Sequence, residues 1–191
     1  MIMEKILVAI LLMISLGLQA QTPVQNFTLI NVIDGSTVSL ESYPTCTGLA
    51  ILFTSNACPY DGYYTARIKD LIDTHQGKIQ FLLINSFQEA EEAVDKMKTF
   101  HGRWGLPVPY LADKEQAAMA CLGAKKSPEV FLLKNTNGKY TVVYNGAIDD
   151  NPQVASAVTQ PYLKTAIDKM LAGQKIESPI IRAVGCSIRK K

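Results

Sequence analysis

The cysteines are the side chains of this chain whose type and placement can do chemistry. Cys58 follows an apolar run, Leu49-Ala50-Ile51-Leu52-Phe53, and a polar turn from Thr54 to Ala57, and Pro59 comes directly after it. This order predicts a strand, a turn and a cysteine at a helix N-terminus. Proline at the first helical position has the φ the helix needs and no donor to leave unpaired. The first N–H groups of a helix lack intrahelical partners and the macrodipole is positive there, so a thiolate is favoured over a thiol. Cys58 is therefore the candidate nucleophile, with a lowered pKa as the physical reason. Cys46, Cys58, Cys121 and Cys186 can pair in three ways, and spacing does not choose among them. Cys121 shares an apolar helical face with Ala117, Ala118 and Leu122 and reads as a small buried hydrophobe. Cys186 could resolve Cys58 from a mobile tail, because closing a long loop costs only logarithmically more than closing a short one. Otherwise it pairs with Cys46 or Cys121, or stays free. The spacings fit no zinc knuckle or ribbon and only His75 and His101 could add imidazole, so no structural metal site is expected.

The elements that must position Cys58 are legible around it. Asp34-Gly35 sits between apolar segments and predicts a hairpin within Val24 to Leu40. Tyr60, Tyr64, Ile68, Leu71 and Ile72 recur at helical spacing, which predicts a helix from Pro59 to Gln76 stopped at Gly77. The run from Ile79 to Ile84 reads as a buried parallel strand. A second helix is expected over Glu89 to His101, with Ala93, Val94, Met97 and Phe100 inward and Asn85-Ser86 as its cap. A short extended piece at Pro107 to Leu111 follows, then a helix capped by Asp113. Strands at Val130 to Leu133 and Tyr140 to Tyr144 flank the turn Asn137-Gly138, and a helix at Pro161 to Leu171 ends at Gly173. Residues 174–191 show no periodicity. The order predicts an α/β fold with a mixed central sheet flanked by helices. Asp61 is an acid in a first helical turn, where the dipole favours it without a catalytic role. Arg67 and Glu129 read as solvated.

Five short segments, FTSNACPY, VPYLAD, SPEVFLL, YNGAIDD and VGCSI, occur in an order that resembles the thioredoxin-like superfamily. Within it they resemble the redoxin branch that includes peroxiredoxins and exported relatives of alkyl hydroperoxide reductase and thiol-specific antioxidant. The resemblance implies a thioredoxin-like fold with an N-terminal β-hairpin extension over residues 21–173, followed by a tail over 174–191. It implies Cys58 as the catalytic cysteine and substrate contact at Ser127, Pro128, Pro59 and Ser55, with the Ser127-Pro128 bond cis and facing Cys58. The chain departs from the pattern at five places, one of them the ending, where Arg189-Lys190 stands in place of the typical lysine and tryptophan. Asp61 stands where a CxxC motif has its second cysteine, and Ser55 stands where the nearest branch carries a cysteine. Ile51 stands where a peroxidase has proline, and no arginine flanks Ser127-Pro128.

With 48% hydrophobic residues and a net charge of +2 over 191 residues, the composition suits one globular domain and gives no footing for nucleic-acid binding. Met1 to Lys5, the apolar stretch from Ile6 to Leu18 and the small-residue exit at Ala20 predict a signal peptide over residues 1–20. The mature chain is expected outside the cytoplasm and off the membrane, in a compartment where disulfides persist. Three functions are open. The leading one is thiol-disulfide exchange by Cys58 on protein thiols or disulfides, sustained by a reducing thiol partner. The second is hydroperoxide reduction through a Cys58 sulfenic acid. The third is a non-catalytic binding protein. No haem, flavin or nucleotide motif is visible, so no cofactor is expected.

Overall fold

Alternating side chains along the strands build a mixed sheet whose two faces are both covered. The computed structural model describes residues 22–191, and the expected signal peptide lies outside them. The hairpin appears as β1 (Thr28–Asn31) and β2 (Thr37–Ser39), followed by β3 (Gly48–Phe53) and α1 (Pro59–His75). Next come β4 (Ile79–Asn85), α2 (Val94–Trp104), β5 (Tyr110–Ala112) and α3 (Ala117–Leu122). The chain continues through β6 (Lys126–Ser127), β7 (Glu129–Thr136), β8 (Lys139–Gly146), α4 (Tyr162–Leu171), β9 (Ile180–Ile181) and β10 (Cys186–Ser187). The main sheet runs β2-β1-β5-β4-β3-β7-β8-β9, and β10 pairs with β6 in a separate two-stranded ribbon.

Strand β3 lies at the centre, parallel to β4 and antiparallel to β7, and all six of its residues are buried. Because successive side chains point to opposite faces, Ala50 and Leu52 pack with α1, α2 and α4, through Ile68, Met97 and Ile167. Leu49, Ile51 and Phe53 pack instead with the hairpin residues Leu29 and Val38, with α3 and with Ile188 of the tail. The strand that leads into Cys58 is thus clamped on four sides. Among the described residues no helix is long and apolar enough to cross a membrane.

Two expectations need correction. The helix predicted from Glu89 begins only at Val94, preceded by a single 3-10 turn at Ala90–Glu92. The Glu92 side chain is drawn inward by hydrogen bonds described below, and Ala93 takes an extended conformation, so Val94 faces solvent while Met97 stays buried. The tail, which shows no periodicity, forms two short strands whose partners lie far away in sequence. Its strand β9 docks parallel to β8, with Asn145 opposite Ile180 and Gly146 opposite Ile181. That approach requires glycine: a Cβ at Gly146 would lie 1.6 Å from the Ile181 carbonyl oxygen, and its φ of +132° disfavours any side chain.

Candidate active site

Strand β3 delivers the chain into the turn 54–57, and Cys58 is the N-cap residue of α1 with Pro59 at the first helical position. Ser55 underlies the turn: its hydroxyl accepts from the backbone N–H of Ala57 at 3.1 Å and of Cys58 at 3.0 Å, and donates to Glu92 Oε1 at 2.5 Å. Glu92 is buried and also accepts from the Asn56 N–H at 2.8 Å, the Ala57 N–H at 3.1 Å and Asn85 Nδ2 at 2.6 Å. A buried carboxylate is tolerated only when its lone pairs are filled. Here the donors all come from the turn that carries Cys58 and from the end of β4, so Glu92 fixes the turn's shape. Glu92→Gln places an amide NH2 against these donors. It should lower stability by about 2 kcal/mol and speed hydrogen exchange at Asn56 to Cys58. A urea midpoint and exchange rates equal to the parent's would remove Glu92 from this role.

Cys58 and Cys186 are joined by a disulfide that spans 128 residues, with Cα atoms 6.0 Å apart. Of the pairings open to sequence reading, this is the one present, and Cys46 and Cys121 are free thiols. Cys121 is half-buried, not buried, with its sulfur 3.1 Å from the Gln25 carbonyl oxygen. Cys186 reaches Cys58 because β10 runs antiparallel to β6 with Cys186 opposite Ser127. The Cys58 sulfur lies 3.3 Å from the Ser127 carbonyl oxygen, and the Ser127-Pro128 bond is cis. Lys126 Nζ donates to Ser187 Oγ at 2.9 Å, the Ile188 N–H donates to the Lys125 carbonyl, and Gln116 clasps the backbone of Arg189 and Lys191.

Asp61 is fully buried at the third position of α1, the one whose side chain faces the N-cap residue. Its Oδ2 accepts from Ser127 Oγ at 2.6 Å, while Oδ1 and the nearby Thr54 hydroxyl meet no partner among the described residues. Among the described residues no cation pairs with it, and burial pushes its pKa up to about 7. The helix dipole alone would push it down, so desolvation wins. Cys58, Asp61, Ser127 and Pro128 therefore converge at one point, while Ser55 supports it from below and Pro59 starts the helix.

Arg67 and Glu129 are not solvated. Arg67 pairs with Asp149 at 2.5 Å, donates to the Asn151 carbonyl and stacks 3.9 Å over the Tyr64 ring, which fastens the loop after β8 to α1. Glu129 accepts from the backbone N–H groups of Lys125 and Lys126 and shapes the bend before Pro128. A cleft of ≈ 180 Å³ adjoins Pro128, lined by Tyr64, Asp149 and Tyr162 and overlain by Arg182 and Val184 of the tail. Sequence reasoning missed Glu92 and the burial of Asp61. Glu92 sits in the run Glu89-Ala90-Glu91-Glu92, which carries no signal that one acid turns inward.

Solved structures share this architecture, these three among them. A protein from Geobacillus kaustophilus described as uncharacterized and conserved is 28% identical, over 90% of this chain and 92% of that one, with a TM-score of 0.80. A thioredoxin-like protein in its oxidised form superposes over 83% of this chain and all of its own, at 12% identity and a TM-score of 0.63. The fold is thioredoxin-like. A thiol-disulfide oxidoreductase from Bacteroides fragilis shares this thioredoxin-like fold over 65% of this chain and 89% of its own, at 15% identity and a TM-score of 0.54. No family model matches the sequence, and no curated protein does.

Proposed function

We propose that this protein is a thiol-disulfide oxidoreductase that uses Cys58 as nucleophile and Cys186 as resolving cysteine. The observation that carries the reading is the disulfide between the N-cap residue of α1 and the tail, set beside the Ser127-Pro128 edge. In the oxidising direction a partner thiolate attacks the Cys58 sulfur, the Cys58–Cys186 bond breaks, and Cys186 leaves as a thiolate that takes up a proton. A second partner thiolate then attacks the partner sulfur of the mixed disulfide and releases Cys58. The partner becomes a disulfide and both cysteines become thiols, a transfer of two electrons and two protons. The reducing direction is the reverse. The helix N-terminus stabilises Cys58 as attacking or leaving thiolate. Asp61 is a positioning residue: it holds Ser127 in place, and while protonated it adds no negative charge beside the Cys58 thiolate.

Residues 1–20 act in this reading as an export signal, and the mature chain works where disulfides persist. Hydroperoxide reduction has less support, since the Arg67 guanidinium on α1 is committed to Asp149 and not to a peroxide oxygen. The test is thiol-disulfide exchange by the reduced protein with a protein disulfide, followed alongside pH-dependent alkylation. Cys58 should alkylate with a midpoint well below the free-thiol value of about 8.5, and Cys58→Ser should bring exchange to background. Cys186→Ser should accumulate a mixed disulfide, while Cys46→Ser leaves both readouts unchanged. Full exchange by Cys58→Ser, or peroxide consumption outpacing disulfide exchange, would overturn the reading.

A further inference from the structure

The tail occupies the edge of β6 as an extended strand, with its cysteine bonded to Cys58 and its backbone against Ser127. We propose that this is the place a partner protein takes during exchange, so that the tail is a tethered competitor whose sequence records what the site accepts: an extended segment with glycine directly before the attacked cysteine. This deepens the oxidoreductase reading and rests on it.

The glycine requirement comes from a close approach. A Cβ at residue 185 would lie 2.0 Å from the Ser127 carbonyl oxygen, 2.6 Å from its carbon and 3.0 Å from the Pro128 nitrogen. All three are backbone atoms, held by the antiparallel pairing on one side and by Glu129 and Asp61 contacts on the other, so none yields cheaply. Lys126 Nζ reaches the carbonyl of Gly185 at 3.4 Å, which reads backbone and tolerates any partner strand of the same course. Two residues beyond the cysteine, Ile188 is buried in the cluster that holds Ile51 and Phe53, so an aliphatic side chain fits there. Val184, on the other side, is half exposed and selects little.

The two occupants exclude each other. In the reducing direction, the Cys58 thiolate attacks the sulfur of a partner's Gly-Cys, that disulfide breaks, and the partner's second cysteine leaves as a thiolate. Cys186 then attacks Cys58, the mixed disulfide breaks, and the Gly-Cys thiolate departs. Once the Gly-Cys thiolate has departed, the tail takes the vacated edge with Cys186 opposite Ser127. An external dithiol restores the reduced pair.

The test uses the reduced full mature chain carrying Cys186→Ser, which cannot resolve. The probes are a heptapeptide of sequence Ala-Val-Gly-Cys-Ser-Ile-Arg, activated as its thionitrobenzoate disulfide, the same peptide with alanine replacing glycine, and the small symmetric reagent dithiobis-nitrobenzoate. Attack by Cys58 on the peptide sulfur releases thionitrobenzoate, read by absorbance. The glycine peptide should react about tenfold faster than the alanine peptide, and adding Gly185→Ala should expel the tail and speed the glycine peptide further. Equal rates for the two peptides overturn the glycine requirement, and an unchanged rate in the Gly185→Ala protein overturns the competition. In either of those cases, a normal rate with the small reagent leaves the oxidoreductase reading standing. Silence toward all three probes takes both readings down together.

Discussion

Opening the Cys58–Cys186 bond should lower the stability of the folded chain by between about 2 and 5 kcal/mol. A cross-link over 128 residues removes conformational freedom from the unfolded chain, and the chain-entropy relation puts its ceiling near 5 kcal/mol. The native side of the balance is favourable, since β9, β10 and the buried Ile188 already hold the tail where the bond forms. The measurement is urea unfolding of the oxidised protein, of the protein in excess dithiothreitol, and of Cys186→Ser. The oxidised form should also show the smaller m-value, because its cross-linked unfolded state exposes less surface. A shortfall below the ceiling measures how readily the reduced tail leaves its dock. A loss under 1 kcal/mol in both reduced forms would mean that the bond does not hold native structure together.

Asp61→Asn should make the protein more stable at neutral pH and change the shape of its pH profile. Folding raises the Asp61 pKa from 3.8 to about 7. Between these values the folded chain keeps a proton that the unfolded chain has lost, so stability falls as pH rises. Its contribution is whole below pH 3.8, declines through the interval and is gone above 7. The shift corresponds to a ceiling of about 4 kcal/mol. Asparagine keeps an acceptor for Ser127 Oγ, and its amide meets the unpartnered Thr54 hydroxyl instead of leaving a buried charge. The two profiles should therefore coincide near pH 4 and diverge up to pH 7, with the variant above the parent. The same change removes negative charge beside the N-cap, so the Cys58 alkylation midpoint should fall in the reduced variant. Parallel profiles, or a variant less stable at pH 7, would show that Asp61 is already relieved by a partner.

The legible parts of this fold were those with local causes. Asp34-Gly35 carries its own turn chemistry, Ile79 to Ile84 carries its own burial pattern, and Cys58-Pro59 marks a helix start by the geometry of proline itself. What stayed hidden depends on groups remote in the chain. Glu92 turns inward because donors from residues 55 to 57 and 85 are waiting for it. Asp61 reads like any acid in a first helical turn until Ser127 and the sheet close over it. Arg67 reads as a surface arginine until Asp149 arrives from beyond β8. Strands β9 and β10 are two residues each, too short to show a period, and exist only because distant edges receive them. The Cys58–Cys186 pairing was one of several open to sequence reading, and the register of β10 against Ser127 is what selects it.

The tail leaves α4 at Leu171 and brings Cys186 to Cys58 in the oxidised chain. A thiol on so short a tether acts as if present at millimolar concentration or above, which no soluble partner at micromolar levels can match. In the reducing direction the lifetime of the mixed disulfide at Cys58 is then set by the protein's own chain. A partner therefore needs no second cysteine to be released. In the proposed cycle, single cysteines capped by a small thiol become substrates on the same footing as paired ones, because Cys186 supplies the second thiol.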